Sequence, residues 1–93
     1  MSELVTEMYG GEPYEYYPLG EYIVRAPGVC GGRPTFKYTR IEAVFIINRL
    51  ATGLSIDDLV RRYQGSLSRE AILEALALAA TELEKTTPAL EVA

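Results

Sequence analysis

The residues of this chain whose chemistry could serve catalysis are few, and their spacing does not form a catalytic set. Cys30 is the only cysteine and histidine is absent, so no imidazole is available to activate the thiol, to act as a general base or to ligate a metal. Gly28, Gly31 and Gly32 lack the Gly-Lys-Ser/Thr and the helix that must follow in a phosphate loop. We therefore predict a non-enzymatic protein that uses neither a metal nor a cofactor.

The paired carboxylates of the chain have a structural explanation. Asp57 and Asp58 fall in the first turn of a predicted helix, where the helix macrodipole favours negative charge. They precede Arg61 and Arg62 by four residues, which is the spacing of a stabilising ion pair on one helix face. We interpret these four residues as helix-stabilising pairs rather than as a catalytic or phosphate-binding group.

A basic segment is the clearest candidate for binding. Residues 22–41 carry four basic side chains and no acidic one, whereas residues 1–21 carry five glutamates and no basic residue. The basic side chains could follow a nucleic-acid backbone, or they could pair with the acidic segment of the same subunit or of a partner subunit; both interpretations stay open. The residues predicted to contact nucleic acid are Arg25, Arg33, Lys37 and Arg40.

The elements that must position these residues follow from turn and capping signals. Residues 1–21 contain the helix breakers Gly10, Gly11, Pro13 and Pro18. This pattern predicts an acidic, tyrosine-rich arm that is irregular or extended. Residues 22–26 and 35–38 are β-branched and aromatic, which predicts a short β-hairpin. We divide the chain into this arm and a single domain over residues 22–93.

Three helices are predicted after the hairpin. Thr39 and Glu42 fit a capping box at the start of the first helix. Ser55 caps the second, and Ser68 caps the third, which runs to about Lys85. The short link between the second and third helices gives the outline of a helix-turn-helix.

The third helix is poorly suited to reading bases. In a major groove it would present Arg69, Glu70, Leu73 and Glu74. Two glutamates facing phosphate-lined DNA are unfavourable, and only the amino group of cytosine would donate a hydrogen bond to them. We therefore expect any DNA contact to come from the basic hairpin.

Two of the helices are more apolar than one buried face requires. Residues 43–47 of the first helix and 71–80 of the third are nearly continuous apolar runs. A helix that is apolar on all sides is normally buried on all sides, and a small domain has too few layers to do this alone. We predict a two-fold homodimer, against the alternative of a monomer whose hairpin and arm cover the second faces. The predicted interface residues are Phe45, Ile46, Leu73, Ala77, Leu78 and Ala80.

Composition limits the classes of protein and the cellular compartments to be considered. The chain has 93 residues and a formal net charge of −4, which argues against nonspecific coating of nucleic acid. It has no apolar run of about 18 residues that would predict a membrane span, and its N-terminus lacks the pattern of a signal peptide. A lone thiol suits a reducing compartment, so we expect a cytoplasmic protein.

The segment GGRPTFKYTRI at residues 31–41 resembles the family known as domain of unknown function 433, a group of small bacterial proteins. Gly32-Arg33-Pro34 and Thr39-Arg40-Ile41 match the family pattern. Matches in the later helices extend the resemblance over roughly residues 21–82. They are Gly53-Leu54-Ser55, Leu59, Tyr63 and Leu67-Ser68. The chain departs from the pattern at Tyr38, where glycine is usual, and at Gln64-Gly65, where proline is common.

The resemblance implies a fold and two functions. The implied fold is a helix-turn-helix that is winged-helix-like or homeodomain-like. Together with the arm and hairpin read from the residues, it predicts a mainly α fold with an N-terminal arm and a short β-hairpin before a three-helix bundle. Some members are grouped with VapB-like antitoxins, which bind DNA and neutralise a PIN-type nuclease, and the family has no catalytic residues to carry over. We therefore predict a homodimeric DNA-binding regulator or antitoxin-like protein. The alternative is a protein-interaction module without DNA binding, whose arm or apolar helix surface docks a toxin or another protein.

Overall fold

The computed structural model of the protein describes residues 3–86, which form one sheet and three α-helices. The strands are β1 (Val5–Tyr9), β2 (Glu12–Pro18), β3 (Ile23–Arg25) and β4 (Thr35–Phe36). The helices are α1 (Ala43–Ala51), α2 (Ile56–Arg62) and α3 (Arg69–Glu84), and a 3-10 turn spans Cys30–Gly32. Within this part of the chain, none of the helices combines the length and the apolar character needed to cross a membrane.

The sheet corrects the prediction of a mainly α fold with an irregular arm. Four antiparallel strands lie in the order β1-β2-β3-β4, so the acidic N-terminal segment forms a hairpin that extends the sheet. Gly10 and Gly11 make its two-residue turn with φ of +62° and +83°, the backbone that a tight hairpin turn requires and that glycine adopts freely. Gly10 and Gly11, which in the sequence predict an irregular or extended arm, therefore form the turn of a regular hairpin.

The predicted hairpin of residues 22–26 and 35–38 is present in shorter form. β3 and β4 pair antiparallel, with Ile23 opposite Phe36 and Val24 opposite Thr35. Because successive strand residues face opposite sides of a sheet, Ile23 joins the main core while Val24 joins a second cluster with Tyr16. The hairpin therefore supplies both hydrophobic clusters.

The main core lies between this hairpin and the three helices. Its buried side chains come from every element after β2. They are Ile23, Phe36, Ala43, Ile46, Leu59, Leu67, Ala71, Ile72 and Ala75. Burial of these apolar side chains is the main favourable contribution to folding of the domain.

The predicted helix starts are confirmed at two of three places. Ser55 forms a capping box with Asp58, and the Ser68 hydroxyl accepts from the backbone N–H of Ala71. The capping box at Thr39 is wrong, because α1 begins at Ala43 with Glu42 as its N-cap residue. The Thr39 hydroxyl instead closes a turn, in which it donates to the carbonyl of Phe36 and accepts from the N–H of Ile41.

One carboxylate fixes α3 to the sheet. The Glu74 side chain accepts hydrogen bonds of 2.8 Å from the backbone N–H groups of Glu21, Tyr22 and Ile23. Gly20 lies so close that a Cβ there would stand 2.5 Å from the Glu74 carboxyl group. The approach of α3 to β3 is thus set by a glycine and a carboxylate together.

Candidate interaction surfaces

The basic residues predicted to contact nucleic acid do not form one free cationic surface. Arg33 makes a bidentate contact with Glu42, at 2.9 Å from Nε to Oε1 and 3.2 Å from the second guanidinium nitrogen to Oε2. This contact raises the pKa of Arg33 and lowers that of Glu42. Arg25 donates from Nε to the carbonyl of Gly32 at 2.7 Å. Arg25 therefore contacts the turn between β3 and β4, and Arg33 contacts the residue that precedes α1.

The remaining two basic residues differ sharply. Lys37 lies 3.1 Å from Glu7 of β1 and is only 24% exposed in its side chain. Arg40 is exposed, and within residues 3–86 its side chain has no ion-pair partner. The basic hairpin thus contacts the acidic N-terminal hairpin within one subunit, through Lys37 and Glu7.

Glu7 is the centre of a polar cluster that joins the two hairpins. Its carboxylate accepts from the hydroxyls of Tyr16 and Tyr38 and faces the ammonium of Lys37. These contacts, led by the Tyr16 hydroxyl, lower the pKa of Glu7 from its ordinary 4.5 to about 2. The Tyr16 hydroxyl, followed by Glu7, raises the pKa of Lys37. Both groups are therefore charged throughout the neutral range.

Tyrosine rings surround this cluster. Tyr9 and Tyr38 stack with their centroids 4.3 Å apart and their planes at 12°, while Tyr14 lies tilted at 5.2 Å from Tyr38. The Lys37 ammonium stands 4.8 Å from the Tyr16 centroid and 5.1 Å from that of Tyr38, within the range of a cation–π contact. The tyrosine-rich N-terminal segment is thus a packed aromatic layer.

Tyr38 holds its place in this layer against a backbone preference. Its φ is +68°, in the left-handed region that glycine adopts freely and other residues rarely do. Its N–H donates to the Tyr14 hydroxyl at 3.0 Å, and its own hydroxyl donates to Glu7 at 2.5 Å. The ring contacts offset the backbone cost that the tyrosine brings.

A groove of about 540 Å³ opens beside the aromatic layer, between the sheet and the turn that precedes α3. We call it the tyrosine groove. It is lined by Tyr9, Tyr22, Tyr38, Glu21 and Lys37, together with residues 65–68 of the turn. The negative charge of Glu21, with burial and the charges of Glu70 and Glu74, raises the pKa of Tyr22.

The start of α3 is occupied by internal contacts. Arg69 lies 3.4 Å from Asp57 of α2, and Glu74 binds the backbone of β3. Arg61 pairs with Asp58 at a spacing of three residues, so the predicted pairing of the two aspartates with Arg61 and Arg62 is observed for Asp58 alone and with a shorter spacing. Glu74 was predicted to lie on the exposed reading face, and this is wrong.

The residues predicted at a dimer interface lie in three environments. Ile46 is 0% exposed, in the main core. Leu78 is half-buried in a second groove of about 500 Å³ between α1 and α3, which Val44 also lines. The others are exposed: Phe45 on α1 at 41%, and Leu73, Ala77 and Ala80 on α3. The exposed residues Leu73, Ala77 and Ala80 therefore lie on one side of α3.

The cysteine has a local structural contact. The Cys30 thiol donates to the carbonyl of Arg40 at 3.3 Å, and the residue has a φ of +49°. Within residues 3–86, no group of three or more His, Cys, Asp or Glu side chains is placed to hold a metal ion.

Sequence reasoning missed the two carboxylates that organise the site. Glu7 and Glu74 are unremarkable in the sequence, because their partners lie 9 to 53 residues away along the chain. The only signal for the aromatic layer was the density of tyrosines in the N-terminal segment, which indicated a surface contact without identifying it.

Comparison with known proteins gives a family match for the region of the chain after β2. The family model described as "Protein of unknown function (DUF433)" matches residues 23–79, which is more than half of the chain. No curated protein and no solved structure matches the chain. The matched region runs from β3 into α3, so Glu7 and Tyr9 lie outside it.

Proposed function

The chain belongs to the DUF433 family of proteins of unknown function, and we propose that this member is a non-enzymatic protein-interaction module that self-associates through α3. The observation that carries the proposal is the apolar outer face of this helix. Leu73 is 45% exposed and Leu83 is 72% exposed. A contiguous apolar surface that stays exposed on a soluble domain marks an interaction site.

The spacing on α3 supports a helix pair. Leu73, Leu76, Ala80 and Leu83 are separated by three, four and three residues, the spacing of the apolar seam of a two-helix coiled coil. We call this set the α3 seam. The neighbouring side of the helix, with Ile72 and Ala75, is buried in the core. Pairing of two seams about a two-fold axis would bury the surplus that the sequence contains.

DNA binding and an antitoxin role stay predictions beside this proposal. Helix-turn-helix recognition would need cations that are free to reach phosphate, but Arg33 and Lys37 face carboxylates. Arg25 and Arg40 have no ion pair within residues 3–86, and Arg25 donates instead to the carbonyl of Gly32. A self-associating module is therefore the function that the geometry supports best.

Light scattering on the purified protein tests the proposal. We expect a species of twice the chain mass of 10.3 kDa at tens of micromolar protein. Because the seam is apolar, this mass should persist in 1 M salt, where exposed ion pairs are screened. A species of 10.3 kDa at all concentrations up to a few hundred micromolar would contradict self-association.

A titration with duplex DNA separates the two functions. At about 50 mM salt, where phosphate contacts are strongest, we expect no saturable change in the anisotropy of a labelled duplex. Saturable binding that Arg40→Ala abolishes and Arg61→Ala leaves intact would instead support the regulator. Copurification of a second protein in stoichiometric amount from the native host would support the antitoxin-like role.

A further inference from the structure

The tyrosine groove has the construction of a binding site, and the α3 seam contributes no residue to its lining. Its aromatic wall is held rigidly by the stack of Tyr9 on Tyr38 and by the hydrogen bonds of Tyr38 to Tyr14 and Glu7. Tyr9 is still 53% exposed and Tyr38 40% exposed. Ring surface that is both fixed and open is available to a ligand without further ordering.

The charges around the groove are unbalanced toward the negative. The ammonium of Lys37 is neutralised by Glu7 at 3.1 Å. Glu21 lines the groove and Glu70 stands near enough to act on Tyr22. Both glutamates are exposed, and neither has an ion-pair partner within residues 3–86. An anion entering the groove would meet this repulsion, whereas a cation would be attracted.

We propose that the tyrosine groove binds an arginine side chain presented by a basic segment of a partner protein. A guanidinium can stack flat on the exposed ring surface of Tyr9 and donate two hydrogen bonds to the Glu21 carboxylate. Arginine fits this combination better than lysine, because its planar group matches both a ring face and a carboxylate.

The neighbouring sheet explains why the occupant is a segment rather than an isolated cation. Residues 1–21 carry five glutamates and no basic residue, and Glu12 and Glu15 on β2 are exposed. Further basic residues of the same segment can interact with these carboxylates while one arginine occupies the groove. The proposal does not depend on self-association through α3, so either can fail without the other.

A peptide titration of the full-length protein tests the proposal. The probe is a fluorescein-labelled eight-residue peptide with three arginines separated by glycines, and its reference is the same peptide with citrulline, which keeps the shape and lacks the charge. We expect saturable binding of the arginine peptide, with at least tenfold weaker binding of the citrulline peptide. Equal affinity for the two peptides, or no saturation at millimolar peptide in low salt, would overturn the proposal.

Matched variants locate the binding. Since a cation–π contact at an exposed site contributes about 1 kcal/mol, Tyr9→Leu should weaken the arginine peptide about fivefold. The control Tyr17→Leu removes another exposed tyrosine, 41% exposed against 53% for Tyr9, that does not line the groove, and it should leave affinity unchanged. Glu21→Gln should weaken binding about threefold and reduce its salt dependence, whereas Glu84→Gln should not. Equal effects of Tyr9→Leu and Tyr17→Leu, or none from Glu21→Gln, would contradict the assignment.

Discussion

Glu7 connects the N-terminal hairpin to the family-matched region through side chains. Its carboxylate binds Tyr38 and Lys37 across the sheet as well as Tyr16 of the adjacent strand. Three partners on one ionised group make this contact dependent on the protonation of that group.

The stability of the domain should therefore fall in acid in a way that depends on Glu7. Its pKa is about 2 in the folded protein against an ordinary 4.5, so the stabilisation is complete above about pH 4.5 and is lost as the pH falls toward 2. Thermal melts of the wild type and of Glu7→Gln across this window check the sign. We expect the melting temperatures to converge as the pH falls; a constant difference from pH 6 to pH 2 would contradict the role of Glu7.

Thr35 offers a second test at a single residue. Its side chain is 0% exposed, and its hydroxyl is buried without a hydrogen-bond partner among the described residues. A buried hydroxyl without a partner costs about 1 kcal/mol or more, so Thr35→Val should raise the free energy of unfolding by about 1 kcal/mol in a urea titration. The control Thr35→Ser keeps the hydroxyl and loses a methyl group, and it should lower that free energy by about 1 kcal/mol. Equal effects of the two substitutions would contradict this account.

At the scale of elements, the attachment of α3 to β3 depends on Glu74. Removing an acceptor from part-buried N–H groups costs about 1–3 kcal/mol, and Glu74 accepts from two such groups, those of Tyr22 and Ile23, as well as from the exposed N–H of Glu21. We expect Glu74→Ala to lower the free energy of unfolding by about 3 kcal/mol, and Glu84→Ala, at the exposed end of the same helix, to change it by less than about 0.5 kcal/mol. Similar small effects of the two substitutions would show that the hydrogen bonds of Glu74 contribute little to the free energy of unfolding.

The effect of substituting Gly20 on stability should depend on whether Glu74 is present. A Cβ at position 20 would stand 2.5 Å from the Glu74 carboxyl group. This distance is shorter than the contact distance of two non-bonded atoms. Gly20→Ala should therefore be destabilising in the wild type and much less so in the Glu74→Ala background. A double-mutant cycle by urea unfolding measures the coupling, which we expect to exceed about 1 kcal/mol for residues in contact. Additive effects would contradict the close approach.

The elements show how far the sequence predicts the fold. The capping box at Ser55 and the cap at Ser68 were predictable because all of their groups lie within four residues. The one at Thr39 failed because long-range pairing competes there: the N–H of Ala43 donates to the carbonyl of Pro34, which delays the helix to Ala43. The strands β1 and β2 were not predicted either, because they are defined by pairing with each other and with β3, and a local sequence pattern does not specify that pairing.

The candidate site was less predictable than the fold. Sequence pattern identified the basic segment and the aromatic one, and it left open whether they face each other or a partner. The contact of Lys37 with Glu7 answers this for one of four basic residues within the subunit. The groove could not be predicted, because it forms where the turn before α3 meets the sheet.

At the scale of the whole molecule, the chain presents two surfaces with different chemistry. The tyrosine groove is aromatic and negatively charged, while the α3 seam is apolar. A module with one surface for its own copy and another for a basic segment would display two grooves per dimer, which raises the effective concentration for a partner with repeated basic residues.

Sedimentation equilibrium of a seam variant tests the central claim of self-association most directly. Ala80 is exposed in the middle of the α3 seam, and glutamate at this position keeps helix propensity while placing two like charges in the paired interface. We expect the wild type to sediment as a dimer and Ala80→Glu as a folded monomer at the same concentration. The control Gln64→Glu, an equal change of charge at an exposed turn residue outside the seam, should remain dimeric. A dimer that survives Ala80→Glu, or a wild type that is monomeric, would contradict the account.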